Sequence, residues 1–230
     1  MPGPVSEKRW RQAQRHELAF WERWRELPAY RGLHLESYWA GERLKFALSP
    51  DAFAHRRVLE VGCGPVGLVH FLPEAALRVR ADPLLVQYRE RMELAEPQLS
   101  LAAAGEALPL ASASMDICIC FNALDHLRDP EAGLAEMGRV LRPGGTLLAM
   151  VHSFPAWALP LLWADRLHLH HWTHQGVARL LRRHFEIVRA SRLRRRFRLP
   201  LKELLKPCGW KYAVGNLVLW TSYFTAEKRW

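Results

Sequence analysis

Val58-Leu59-Glu60-Val61-Gly62-Cys63-Gly64-Pro65-Val66-Gly67 reads as a short buried strand running into a glycine-rich turn. Its three glycines have the spacing G-x-G-x-x-G. Glycine has no Cβ, so the backbone can turn tightly and lie against a ligand. A second strand, expected at Leu77 to Ala81, leads into Asp82, twenty residues after Gly62. An acid there can hydrogen-bond the hydroxyls of an adenosine ribose. These features alone suit a dinucleotide and a nucleoside equally. Glu60 separates the two. A carboxylate two residues before the first glycine is unhelpful beside a pyrophosphate but suits a ligand with an ammonium and a sulfonium.

Outward from this stretch, strands alternate with helices. Strands are expected at 57–61, 77–81, 99–103, 115–121, 146–151, 186–191 and 217–224. Helices are expected at 83–94, 130–141 and 174–183, the last capped by Thr173. Two further helices, 7–28 and 35–48, precede the first strand. The pattern implies βαβ units. The expected fold is α/β, a seven-stranded, mostly parallel sheet with helices on both faces. Residues 1–50 form an N-terminal helical cap. Residues 51–230 form the core, with an aromatic insertion at about 152–172.

The 230 residues suit one such domain, and 50% hydrophobic with 24% charged residues is a globular profile. No apolar run reaches the roughly 20 residues that span a bilayer, and the N-terminus lacks the apolar region of a secretory signal. The expected location is cytoplasmic, with peripheral attachment to a membrane as an option. Cys63, Cys118, Cys120 and Cys208 form no C-x-x-C pair and read as buried, reduced thiols. Of the net charge of +10, Arg179 to Lys206 supplies +9. That segment could meet an anionic lipid surface or a nucleic acid, or simply form a solvated edge.

The ordered set VLEVGCGPVG, ADPL, GEALPL, SMDICICFNALDHLRDP and RVLRPGGTLLA resembles the class I S-adenosylmethionine-dependent methyltransferases, in particular those acting on small molecules and lipids. The resemblance covers residues 56–151 closely and implies a Rossmann-like fold with S-adenosyl-L-methionine as cofactor. It places Glu60, Gly62, Cys63 and Gly64 along the methionine end, Asp82 and Pro83 at the ribose and Leu84 on the adenine. Gly105 and Glu106 would lie on the adenine edge, and Asn122 and Ala123 beneath the methionine. Many relatives carry an Asp where Ala104 stands, so either Glu106 or backbone groups alone would read the adenine.

Transfer from a sulfonium is an in-line displacement in which the leaving group is already activated. A base is needed only where the acceptor holds its proton. His126 and His152 follow the fourth and fifth strands and could act as that base. His168, His170, His171 and His174 cluster in sequence without a familiar metal spacing, so no metal is expected. Trp10, Trp21 and Trp24 are expected to dock the N-terminal helix on the sheet. Tyr38 and Trp39 are candidates to close over the cofactor. Phe154, Trp157, Leu161 and Trp163 would cover a small, largely hydrophobic acceptor with an O, N or C nucleophile. The alternatives are a nucleic-acid methyltransferase using the basic segment, and a non-catalytic scaffold or peripheral membrane protein using that segment with Trp210, Trp220 and Tyr223. Nucleic acid is disfavoured because Asn122-Ala123-Leu124-Asp125 is not the motif of base-amino methyltransferases. A nicotinamide-dependent dehydrogenase would explain the glycines and Asp82 but not Glu60.

Overall fold

The computed structural model describes residues 3–26, 34–49, 51–92, 99–165, 168–194, 214–215 and 217–229. One sheet contains β1 (Arg57–Val61), β2 (Leu77–Ala81), β3 (Leu99–Leu101), β4 (Met115–Phe121), β5 (Leu141–Ser153), β6 (Phe185–Arg194) and β7 (Trp220–Lys228). Its order is β3-β2-β1-β4-β5-β7-β6. The first five strands run parallel, and β7 lies antiparallel between β5 and β6. The seventh strand begins at Trp220, later than expected, because its partner Ser153 is the last residue of β5. The strand order reverses between β1 and β4. The carboxyl ends of those two strands therefore border a crevice, the usual ligand position in an open α/β sheet.

Period-two burial explains the layers. In β4, Cys118 and Cys120 face one side, and Ile117, Ile119 and Phe121 face the other. The first side packs under α4 (Pro130–Val140) and α5 (His174–Leu181) through Leu134, Met137, Val177 and Leu181. The second meets α2 (Leu35–Leu44) and the loop after it through Trp39, Phe46 and Phe53. Each fully buried side chain of this size contributes about 1.5–3 kcal/mol. Cys63, Cys118 and Cys120 are buried free thiols, as read from the sequence; Cys208 lies outside the described residues.

Local signals set the helix starts. Asp129 caps α4 by accepting from the Glu131 and Ala132 N–H groups, with Pro130 at the first helical position. Thr173 caps α5 by accepting from Gly176 N–H. The β1–β2 crossover holds only a 3-10 turn, Leu68–Phe71. Pro65 and Pro73 bracket it, and neither supplies the N–H that a longer helix needs. On the far side, α1 (Glu7–Arg23) and α3 (Leu85–Arg91) meet through Leu18, Leu85 and Tyr88, against Cys63 of the glycine turn.

One ion-pair network ties the amino ends of β1, β4 and β5. Asp116 accepts from the Arg57 backbone N–H at 2.8 Å, from Arg57 Nε and Nη2 at 3.1 Å, and from Arg142 Nε at 2.8 Å. The Arg57 hydrogen bonds, aided by Arg142, hold this carboxyl well below the usual carboxylate range. A depressed folded value means stabilisation that is complete above the unfolded carboxyl value of about 3.9 and is lost as pH falls through the folded value. Asp116→Asn is expected to lower stability at neutral pH by about 1.5–3 kcal/mol and to flatten the acid limb. Urea midpoints at neutral and strongly acid pH check both. Equal losses at the two pH values would count against the network.

Candidate active site

The glycine turn is held from three sides. Gly62 sits at φ +68° and Gly64 at φ +59°, conformations that side chains rarely adopt. Gly62 N–H donates to the Ala81 carbonyl at 2.7 Å, which ties the turn to β2. A Cβ on Gly62 would lie 2.2 Å from the Ala123 Cβ, so the turn after β1 and the turn after β4 touch here. Asn122 makes that second turn at φ +49°, its N–H donating to Met150 O at 2.7 Å.

Asp82 clamps the glycine turn to the segment after β2. Its Oδ2 accepts from Gly64 N–H at 3.0 Å and its Oδ1 from Leu84 N–H at 2.8 Å. Burial nevertheless pushes its carboxyl up to about 6, against those two bonds. The Leu84 bond also explains why α3 starts at Leu85 rather than at the expected residue 83.

Glu60 has a structural task beyond its reading in the sequence. Its Oε1 accepts from Leu68 N–H at 3.1 Å and its Oε2 from Val69 N–H at 2.8 Å. Burial pushes it up to about 7, against those bonds and the charge of Arg80. The carboxylate thus fastens the loop that follows the glycines, and Glu60 also borders the cavity. Gly67 makes room for it, since a Cβ there would fall 2.3 Å from Glu60 Oε2.

Arg80 was missed in the sequence. It is fully buried in β2, in register with Glu60. It donates to Ser100 Oγ at 2.8 Å and to the Pro65 carbonyl at 3.1 Å. The signal was available as opposite charges at the next-to-last positions of adjacent parallel strands, once the register is known. Arg80→Leu is expected to lower stability by about 1–3 kcal/mol, because it takes the donor from the Pro65 carbonyl and Ser100 hydroxyl and a positive charge from the neighbourhood of Glu60. Thermal unfolding checks this.

These elements enclose a cavity of about 1050 Å³. Its wall holds all eleven residues read as cofactor-binding, Glu60, Gly62, Cys63, Gly64, Asp82, Pro83, Leu84, Gly105, Glu106, Asn122 and Ala123, together with His126 and His152. Trp10, Trp21 and Trp24 line it as well, so α1 forms a wall rather than merely docking on the sheet. Trp21 covers the turn, 3.2 Å from where a Gly64 Cβ would stand, and its Nε1 donates to Glu17 Oε1 at 2.7 Å. Tyr38, Trp39, Phe154 and Leu161 complete the apolar side. Trp157 is 65% exposed.

The four clustered histidines separate. His170 stacks on Trp172 and bonds the Leu127 carbonyl through Nε2. His174 stacks on Phe224 and bonds Ser222 Oγ. Only His168 of the four reaches the cavity wall. Tyr223, considered for membrane contact, is buried and donates to Glu42 Oε2 at 2.7 Å. Trp220 instead stacks under Arg192 at 4.2 Å. Trp210 and the basic residues 195–206 lie outside the described residues. No helix among the described residues is long and apolar enough to cross a membrane.

The wall carries buried polar atoms with no hydrogen-bond partner among the described residues: Gln14 Oε1, Glu106 Oε2 and Asn122 Oδ1. Glu106 Oε1 already accepts from Asp129 N–H at 3.0 Å. Acceptors kept in a glycine-lined cavity beside an acid at the end of β2 fit a nucleoside that bears amino and hydroxyl donors. Sheet order, glycine turn and acceptor set together fit the Rossmann-like, nucleoside-binding domain that the sequence resemblance implies.

Comparison with known proteins agrees. Residues 59–149 match the family described as methyltransferase domain. A malonyl-[acyl-carrier protein] O-methyltransferase of Hahella chejuensis is 38% identical over 96 residues, 40% of this chain and 34% of the relative. An uncharacterized methyltransferase of Mycobacterium ulcerans is 34% identical over 146 residues, covering 61% and 56%. The chain thus spans between a third and just over half the length of these curated relatives. Among solved structures, the [4+2]-cyclase SpnF aligns over 99% of this chain and 98% of its own, with a TM-score of 0.66 and 17% identity. That likeness concerns the fold.

Proposed function

We propose that this protein transfers the methyl group of S-adenosylmethionine to an O, N or C nucleophile on a small, largely hydrophobic acceptor. The observation that carries this reading is the single cavity shared by the glycine turn, Asp82 and an aromatic wall. Ligand pockets commonly measure roughly 300–1,000 Å³, so this one has room for a nucleoside and an acceptor side by side. When bound, the cofactor supplies an activated methyl group.

The chain's own residues do the rest. Asp82, fixed by two backbone N–H groups, offers its remaining lone pairs to ribose hydroxyls. Glu106 Oε2 and Asn122 Oδ1 offer acceptors to amino groups. The aromatic wall from α1 and α2 excludes water and orients the acceptor. His152, on the same wall with Thr221 Oγ1 3.5 Å from its Nδ1, takes the acceptor's proton where one must leave. His126 is the second candidate. Proximity and orientation supply most of the rate.

A thermal-shift series with S-adenosylmethionine, S-adenosylhomocysteine and NAD tests the cofactor half. The first two are expected to stabilise by about 2.7 kcal/mol at a hundredfold excess over their dissociation constants, and NAD not at all. A flat response to all three would sink the proposal. For the chemistry, His152→Ala is expected to lower kcat by about 100-fold while S-adenosylhomocysteine affinity changes less than about twofold. Equal loss of both would remove His152 from this role.

A further inference from the structure

The wall beyond Asn122 and Ala123 carries a feature that cofactor binding does not use. One carboxylate oxygen of Asp125 and one ring nitrogen each of His126 and His168 lie within 4.8 Å of one another. Asp125 is 3% exposed. Its Oδ1 and the His126 Nδ1 are buried and have no hydrogen-bond partner among the described residues. Each such atom costs about 1–3 kcal/mol if nothing satisfies it.

His168 is oriented from behind. Its Nδ1 lies 2.7 Å from Asp165 Oδ2, which leaves Nε2 facing Asp125 Oδ2 at 3.9 Å. A carboxylate fixing one ring nitrogen so that the other can ligate is the usual support of a metal-bound histidine. Glu17 Oε2 stands 3.7 Å from His126 Nδ1 and offers a further oxygen. Carboxyl groups of Asp125, Asp165 and Glu17 stand around the two rings, so the pocket presents negative charge to a cation.

We infer that Asp125, His126 and His168 bind a divalent first-row transition ion of the zinc or iron(II) type, with Asp165 as the positioning residue. Two imidazoles and a carboxylate suit such ions, whereas calcium and magnesium prefer all-oxygen sets. A tetrahedral ion with ligands at about 2.1 Å sets them about 3.4 Å apart, so binding would draw together atoms that now lie within 4.8 Å of one another. The second group, Asp165 with His168 and His171, is already satisfied internally, since Asp165 Oδ2 is shared by His168 Nδ1 and His171 Nε2 at 2.7 and 3.0 Å.

The site's use rests on the methyl-transfer reading, although the site itself does not. An ion on this wall would draw the oxygen of a hydroxyl acceptor and lower its pKa. The acceptor proton passes to His152, the O–C bond forms as the S–C bond breaks, and the electron pair leaves on the sulfur of S-adenosylhomocysteine. His126 then serves as a ligand, and His152 alone remains for the proton.

The test uses untagged, chelator-treated full-length protein titrated with Co²⁺, read by its visible d–d absorption, with S-adenosylhomocysteine binding measured on the same samples. One Co²⁺ per chain is expected. His168→Ala and Asp125→Asn should each weaken it by at least about 100-fold, and Asp165→Asn by about 10–100-fold. The Asp165→Asn protein should keep its S-adenosylhomocysteine affinity. His171→Ala and the distant His184→Ala should bind Co²⁺ as the parent does. Protein that binds S-adenosylhomocysteine but no Co²⁺ overturns the inference, as does an affinity lost in His171→Ala and kept in Asp125→Asn. Co²⁺ binding without S-adenosylhomocysteine binding overturns the cofactor reading instead and leaves the metal site standing. If Asp125→Asn fails to fold, His168→Ala and Asp165→Asn still decide.

Discussion

Gly62→Ala is expected to abolish cofactor binding and to destabilise the fold by about 2–6 kcal/mol. Two penalties combine. The φ of +68° costs a residue with a Cβ about 1–3 kcal/mol. The new methyl would also stand 2.2 Å from the Ala123 Cβ, and relieving such an overlap typically costs about 1–3 kcal/mol more. Neither backbone can move freely, because Gly62 N–H is held by Ala81 and Asn122 N–H by Met150. Separating the two turns would displace both sides of the crevice together. Thermal unfolding and S-adenosylhomocysteine titration measure the two effects. A variant as stable as the parent with unchanged affinity would show that the contact between the turns is unimportant.

Asp82→Ala should produce the largest loss of cofactor affinity from a side chain, at least about 100-fold. The substitution removes the acceptor for the ribose and also releases Gly64 N–H and Leu84 N–H. Hydrogen bonds to a charged group contribute about 1.5–3 kcal/mol each, and every tenfold loss in affinity corresponds to about 1.4 kcal/mol. Asp82→Asn separates the two functions. Its amide oxygen can satisfy one backbone N–H, but its NH2 group faces the other, so part of the loss should return. Calorimetry on the parent and both variants measures this. Equal affinities in all three would confine Asp82 to holding the loop.

Much of the fold was legible because the relevant physics is local. The boundaries of β1, β2 and β4 follow from short segments rich in β-branched and apolar residues ended by glycine, Asp82 and Asn122. Thr173 and the Asp129-Pro130 pair mark helix starts by chemistry confined to three residues. The start of β7 was not legible, since it depends on where β5 stops, far away in the chain. Glu60 shows the same limit at the site. Its position beside the glycines was plain, but the Leu68 and Val69 N–H groups that engage its oxygens lie in a loop whose path depends on Pro65, Gly67 and Arg80 together.

The cluster of Asp125, His126, His168 and Asp165 makes the distinction sharper. By spacing, His168, His170, His171 and His174 form one group without a metal pattern. The fold divides them, placing His170 and His174 in packing roles against Trp172 and Phe224 and bringing His168 opposite Asp125, forty-three residues earlier. By itself the sequence determined the class of sheet, the glycine turn, the acid after β2 and the domain family, because each is written in a short run of adjacent residues. The tertiary structure alone decided which charges meet, that α1 walls the cavity, and which histidines face it. Those outcomes depend on distances between elements, which no local pattern encodes.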